Sequence, residues 1–403
     1  MSIAIYTLTS SLHDEAAVEA TTQEFLGGLG IEYEMMGGDY TTYGSHSLEL
    51  IYVRTGGTEG IFKGLLPLLQ RVSDQPFYLL TSGKSNSLAA SMEILSYLRQ
   101  REIKGEILHG SKEYVSHQIG LLAQVGQARQ QLKGSRLGVV GAPSDWLIAS
   151  RADREAVREH LGVDLVDIPM TELLSAYDRV PTDVTDAALE SLSPTSAVRA
   201  SVPGATRIYH ALKQVVEARN LKGLTIRCFD LLTAVHNTGC VALARLNAEG
   251  IVAGCEGDVP AALSMMVGRA LTGVSGFQCN PARIDPEQGE LMLAHCTIPL
   301  NLVERYELDT HFESGIGVGI RGYMPLGPVT LFKLSGDLSR CFAVHATLVS
   351  NESLPDLCRT QQVIRLEDPG LAAYFLNNPI GNHHIVLPGH HKELINRFVR
   401  TIS

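Results

Sequence analysis

The sequence predicts an α/β protein: two doubly wound parallel-sheet domains followed by a β-rich C-terminal domain. Three observations carry this. Strand and helix patterns alternate from the start of the chain, which implies a parallel sheet with helices on both faces. A second alternation begins near residue 134. After about residue 275 the pattern changes to short β-like runs separated by glycine, proline and polar turns, the texture of an antiparallel, largely β domain. The expected domains are therefore residues 1–133, 134–273 and 274–403, in keeping with roughly 100–200 residues per domain.

The elements follow in order. Ile3–Leu8 is an apolar, β-rich run, Asp14–Leu29 a helix closed by glycines, Glu32–Met36 a short strand and Glu49–Val53 a stronger one. Arg54-Thr55-Gly56-Gly57-Thr58-Glu59-Gly60 leads into a helix from Ile61 to Val72. Phe77–Thr81 is a strand, a helix capped by Ser85 or Ser87 runs to Arg101, and Ile107–His109 is a last short strand. A long helix, Ser111–Leu132, bridges to the second set. That set holds strand Arg136–Val140, helix Arg151–His160, strand Leu165–Ile168, helix Asp186–Ser191, helix Ile208–Arg219 and strand Leu224–Arg227. Thr182–Ser201, rich in Pro, Ser, Thr and Asp, reads as an exposed segment carrying a short helix. Val259–Leu271 is a helix. Leu291–Ile298, Gly315–Gly322, Pro328–Leu334, Arg340–Leu348, Gln362–Leu366 and Ile385–Leu387 are β-like, and Lys392–Ile402 is a closing helix.

Composition narrows the function. A net charge of −10 argues against nucleic acid or an anionic membrane as partner. Aromatic residues make up 6%, with one tryptophan, Trp146, so stacking platforms for single strands are not expected. No window approaches the roughly 18 apolar residues of a spanning helix, and no signal-peptide pattern opens the chain. The seven cysteines (Cys228, Cys240, Cys255, Cys279, Cys296, Cys341 and Cys358) form no CxxC pair. They read as reduced, small core residues of a cytoplasmic protein, without the tight spacing of a zinc module.

The chemistry centres on Cys255-Glu256-Gly257-Asp258, which puts two carboxylates, one residue apart, on a glycine turn at a helix start. Buried acids there need a cation or hydrogen-bond donors. Helix capping is the competing reading, strongest for Asp258 with Pro260 in the first turn. Asn280, His295 and the pair His383-His384 supply candidate partners. Each histidine has a structural alternative, a core ring bonded to a carbonyl for His295 and a polar loop for the pair. Adjacent strand residues face opposite ways, so only one of His383 and His384 can readily enter a site. His311 and Asp230 are further candidates with similar alternatives. The Arg54–Gly60 turn can hold an anion or a polar sugar end on its amides, but it lacks the Lys-Ser/Thr of a phosphate loop. Gly141-Ala142-Pro143 lacks the GxGxxG pattern, and no GxSxG elbow is present.

Four motifs carry a resemblance: Arg227-Cys228-Phe229-Asp230, the stretch Cys255–Leu263 (CEGDVPAAL), Asn280-Pro281-Ala282-Arg283-Ile284-Asp285, and Leu293–Pro299 (LAHCTIP). With the late Gly381-Asn382-His383-His384, they resemble the L-fucose/L-arabinose isomerase family, in its divergent fucose isomerase-like branch. The domain order fits it too. The resemblance implies an active site between the second and third domains that binds manganese or another divalent cation. It implies a first carboxylate ligand at Glu256, a second carboxylate position at Asn280, a histidine at His295 and a late histidine at His383 or His384. It also implies a homo-oligomer, a trimer or hexamer, in which a neighbour's first domain covers the site and the Arg54–Gly60 loop is placed to be that cover. Asn280 departs from the pattern: its amide oxygen can coordinate a hard cation but cannot take a proton. Either Asp258 or Asp285 replaces that carboxylate, or the chemistry differs.

The expected function is metal-dependent aldose–ketose isomerisation of a small-molecule sugar through an enediol. The candidate metal ligands are Glu256, Asn280, His295 and His384, and the candidate catalytic positions are Glu256, Asp258 and Asn280, with Glu256 as base. Arg283, His383, His384 and Arg54 are the candidate substrate contacts. Two alternatives accompany this reading: an epimerase or isomerase of an anionic sugar such as a sulfo-sugar, and a non-catalytic sugar-binding protein that kept the fold.

Overall fold

The computed structural model describes residues 2–73 and 75–402. Among these, the chain forms two compact units, Met1–Gln130 and Gln131–Ser403.

The first unit holds β1 (Ile3–Leu8), α1 (Glu15–Gly27), β2 (Glu34–Gly37), β3 (Leu48–Val53), α2 (Glu59–Val72), β4 (Phe77–Leu80), α3 (Ser87–Arg99), β5 (Gly105–Leu108) and most of α4 (Lys112–Leu132). The strands form one parallel sheet in the order β2-β1-β3-β4-β5. Residue alternation splits the core in two. Tyr6, Ile51 and Leu79 pack with α2 and α3 on one face, while Ile5, Leu50 and Leu80 pack with α1 and α4 on the other. β3 is buried at every position because helices cover both faces.

The second unit begins with β6 (Arg136–Val140), α5 (Arg154–Ala156), β7 (Asp164–Ile168), α6 (Met170–Arg179), α7 (Ala187–Ser191) and α8 (Ser196–Arg219). It continues with β8 (Gly223–Ile226), α9 (Asp230–Ala234), α10 (Cys240–Ala248), β9 (Val252–Gly254) and α11 (Val259–Thr272). Its parallel sheet runs β7-β6-β8-β9. Two differences from the sequence reading stand out. The helix expected from Ile208 starts at Ser196, where the Thr195 hydroxyl caps it, and it carries Pro203 inside. The proline and the Ser/Thr-rich approach hid a buried face that includes Val198 and Val202. Helices α6 and α10 also form where no helix was expected.

A six-stranded antiparallel barrel follows, built from β10 (Phe277–Asp285), β11 (Glu290–His295), β14 (Gly327–Leu334), β15 (Cys341–Glu352), β16 (Thr360–Leu366) and β17 (His384–Pro388). It closes in the order β10-β11-β16-β15-β14-β17, which leaves no free edge. A hairpin of β12 (Arg305–Asp309) and β13 (Gly319–Tyr323) is appended, with the short α12 (Ala373–Asn377) and the amphipathic α13 (Lys392–Ile402). Phe277, Leu293, Leu331, Val344, Ile364 and Val386 share one core cluster. Helix α11 contacts β8 and β9 as well as β14 and β17, so it is sandwiched between sheet and barrel. That explains why it is buried nearly all round rather than along one stripe. Among the described residues no helix is long and apolar enough to cross a membrane.

Candidate active site

The carboxyl ends of parallel strands are where an open α/β sheet accepts ligands. Here the turn after β9 meets the ends of barrel strands β10, β11 and β17. Cys255 donates its N–H to the Gln278 Oε1 at 2.8 Å, which ties the turn to β10. Glu256 and Gly257 both adopt left-handed backbone, with φ of 63° and 70°. At Gly257 this is enforced: a Cβ would run into the Ala142 carbonyl oxygen and lie 2.7 Å from the Pro143 Cα. For Glu256, a residue with a side chain, that conformation is uncommon and calls for a reason. The reason lies in where the carboxylate goes.

Glu256 Oε2 accepts a hydrogen bond of 2.6 Å from the Trp146 indole N–H. Its Oε1 faces His383 Nε2 at 3.4 Å and His295 Nε2 at 3.6 Å. One ligand atom from each of the three residues lies within 4.8 Å of the others, and all three residues are buried. Hard oxygen plus two imidazoles suits a divalent cation such as manganese or zinc. Two buried atoms at this end of the barrel have no hydrogen-bond partner among the described residues, His383 Nε2 and Asn280 Oδ1. A buried amide oxygen without a donor is what a cation would satisfy, and His383 Nε2 becomes a ligand atom once it gives up its proton, so the residues present fit one.

Support behind the histidines orients their rings. His383 Nδ1 is 2.8 Å from Asp258 Oδ2, an ionised acceptor, so Nδ1 carries a proton and Nε2, once deprotonated, is the atom that would hold a cation. His295 Nδ1 lies 3.0 Å from the Thr297 hydroxyl, which can accept in the same way. Asp258 has no exposed surface. Its Oδ1 accepts the Ala261 N–H at 2.8 Å, the N-cap bond of α11, and lies 3.6 Å from the Lys333 Nζ.

The electrostatics follow. Burial pushes the Glu256 carboxyl up, but His295 and His383 outweigh it and hold the acid well below the usual range. Burial likewise raises Asp258, but Lys333, His383 and the Ala261 N–H bring it to about 2. Burial lowers His383, but Asp258 and Glu256 lift it to about 9. Burial lowers the Lys333 ammonium.

Each expected site residue can now be placed. Glu256, His295 and His383 come together. His384 does not join them, contrary to its expected place among the ligands. Strand alternation turns it the other way, where its Nε2 meets the Tyr374 hydroxyl at 3.1 Å among Phe342 and Phe375. Asp258 caps α11 and holds His383 instead of facing a substrate. Asn280 shares a strand face with Gln278. Asp285 accepts turn N–H groups between β10 and β11. Arg283 is exposed and paired with Asp356 at 3.0 Å. Arg54 lies in the first unit, its guanidinium committed to Glu15 and Glu19 at 2.9 Å each.

Three residues escaped the sequence reading. Trp146 was noted as the lone tryptophan, but its partner lies 110 positions away. Its ring packs edge-on to Phe229, which in turn packs edge-on to His311, making an aromatic wall beside Glu256. Lys333 reads as a strand residue until its burial is seen. Glu313 is a second carboxylate within reach of the Glu256 charge: its side chain is exposed, and partial desolvation and then that charge raise its pKa.

A second group, His345, Glu367 and His390, also gathers ligand atoms within 4.8 Å. There His345 Nε2 accepts the Lys392 N–H at 3.1 Å, so the neutral ring turns an N–H, not a lone pair, toward Glu367. That group fits a metal poorly.

No family model matches the chain. It is similar to the sulfoquinovose isomerase of Clostridium sp. (strain MSTE9), with 28% identity over 227 residues, 55% of this chain and 49% of the relative. It is similar to that of Alkalicoccus urumqiensis, with 22% identity over 261 residues, and to that of Priestia megaterium (strain ATCC 12872 / QMB1551), with 23% over 268; both matches cover 62% of this chain and 59% of the relative. The chain thus spans about half to three-fifths of the length of the curated relatives it matches. These likenesses support a sugar isomerase family, and none of the three relatives carries the fucose or arabinose name.

Proposed function

We propose that this chain is a divalent-metal-dependent aldose–ketose isomerase acting on an anionic sulfo-sugar of the sulfoquinovose kind. The carrying observation is the buried Glu256–His295–His383 group, three ligand atoms within 4.8 Å, in a chain similar to sulfoquinovose isomerases. The four motifs favour a second reading, a neutral sugar of the fucose or arabinose kind. The homo-oligomer, which rests on the resemblance alone, and the cytoplasmic setting, which rests on the cysteine pattern, belong to the same proposal.

Glu256, His295 and His383 would hold the cation, with the Asn280 amide oxygen as a fourth donor. A bound manganese or similar ion supplies Lewis-acid stabilisation of charge developing on the sugar's two adjacent oxygens. Isomerisation moves a proton between adjacent carbons through an enediol, so a base must reach the carbon-bound proton. A carboxylate held as low as Glu256 is a good ligand and a weak base. Glu313, an exposed carboxylate whose pKa is raised by partial desolvation and by the charge of Glu256, is the candidate to carry the proton. Trp146 aims Glu256, and Asp258 aims His383.

The roles separate by mutation. Glu256→Gln should lose both metal binding and turnover. Glu313→Gln should keep the metal and lose turnover. Metal content and ketose formation on a panel of neutral and anionic sugars read both. Full activity in purified Glu256→Gln protein would overturn the assignment, and turnover of neutral sugars alone would favour the second reading.

A further inference from the structure

The cysteines expected as inert core residues are not scattered in space. Cys228 and Cys255 bring their sulfurs to 3.0 Å, closer than two sulfurs in ordinary contact. A disulfide needs about 2.05 Å, roughly one ångström less. Both residues are buried, and both are free thiols. Each directly precedes a residue of the candidate site: Cys255 adjoins Glu256, and Cys228 adjoins Phe229. Phe229 packs 4.9 Å from the Trp146 ring that aims the Glu256 carboxylate. A cavity of about 10 Å³, lined by Cys228, Phe229, Cys240 and His311 among others, reaches the Cys228 side. That is about the least room one water needs, so bulky molecules are kept from the Cys228 side.

We propose that Cys228 and Cys255 are a reversible redox pair that closes to a disulfide when a small peroxide reaches them. The Cys228 sulfur attacks the peroxide oxygen, the O–O bond breaks, and water leaves with the thiol proton, giving a sulfenic acid on Cys228. The Cys255 sulfur then attacks the Cys228 sulfur. The S–O bond breaks, and the hydroxyl leaves as a second water with the Cys255 proton. Two thiols and one peroxide thus give one disulfide and two waters. Drawing the sulfurs together pulls on the left-handed turn at Glu256 and on the Phe229–Trp146 contact. The metal-binding geometry is then lost while the bond lasts, and a dithiol reductant restores it. The bond itself does not depend on the isomerase reading, whereas its effect on metal binding rests on that reading.

The test treats the full-length protein with hydrogen peroxide, alkylates the remaining thiols, and maps cross-linked peptides by mass. Mn²⁺ binding and Trp146 emission are followed before and after, and again after dithiothreitol. The expected result is a cross-linked peptide joining Cys228 to Cys255, a shift in Trp146 emission, and Mn²⁺ affinity lower by at least roughly tenfold. Reductant reverses all three. Cys228→Ala should bind Mn²⁺ normally when untreated and keep its affinity after peroxide. Both thiols remaining open to alkylation after treatment would overturn the proposal. So would a cross-link confined to Cys296 and Cys358, which also touch. A Cys228–Cys255 bond that leaves both Mn²⁺ affinity and Trp146 emission unchanged would overturn the switch. Failure of the reduced protein to bind Mn²⁺ counts against the proposed function instead, and the pair is then judged on the cross-link and on Trp146 emission.

Discussion

Asp258 has no exposed surface, yet it satisfies three neighbours at once: the start of α11, the His383 ring and the Lys333 ammonium. Asp258→Asn keeps the cap but removes the charge that opposes Lys333 and orients His383. Breaking a buried pair by removing one partner costs about 3–5 kcal/mol, and losing a residue that orients a ligand weakens metal affinity by roughly 10–100-fold. Thermal melts and Mn²⁺ titration check both. Adding Lys333→Met should recover much of the stability and none of the affinity, because only the stray charge has been removed. His383 gives a pH dependence whose sign is fixed. Its pKa is raised to about 9 in the metal-free protein, so below pH 9 the cation must displace a proton from Nε2. Affinity should therefore rise roughly tenfold per pH unit up to about 9 and then level off. A flat profile between pH 6 and 8 would remove His383 from the ligand set. The Glu256-Gly257-Asp258 turn, His295 and the late histidine pair were legible in the sequence, because their residue types advertise their chemistry. Which histidine enters was not, because that depends on the parity of β17. Trp146 and Lys333 were not legible either, because their partners lie 110 and 75 positions away by chain numbering.

At the scale of elements, the turn between β9 and α11 is the part on which the site depends. Glu256 is held with φ of 63° because Gly257 lets the chain pass under the loop that follows β6. Gly257→Ala adds a Cβ against Ala142 and Pro143 at a φ that favours glycine. It should destabilise by about 1–3 kcal/mol and weaken Mn²⁺ binding, as read by chemical denaturation and titration. A stable variant with intact affinity would mean that the turn does not set the geometry. The alternating strands and helices were legible here because each has a clear period. Helix α8 was cut short in the sequence reading because Pro203 and the run of Ser and Thr before it mimic a loop. Strands β10 and β12 were missed because Pro281 breaks the pattern of the first and charged residues dominate the second.

On the scale of the whole molecule, the sequence of textures foretold the architecture: a parallel sheet, a second parallel sheet, then a β-rich region. The closed barrel was not foretold, because closure is a matter of β10 pairing with β17, which no local pattern encodes. The barrel matters for the candidate site because it delivers His295 and His383 from segments far apart in sequence to one carboxylate beside the neighbouring sheet. The most direct test of that assembly as an isomerase centre follows sulfoquinovose by NMR in deuterated water, with metal-stripped protein and again after Mn²⁺ is restored. Deuterium at C2 and the ketose should appear only when the metal is present. Exchange that proceeds undiminished without metal, or no exchange in either state, would contradict this.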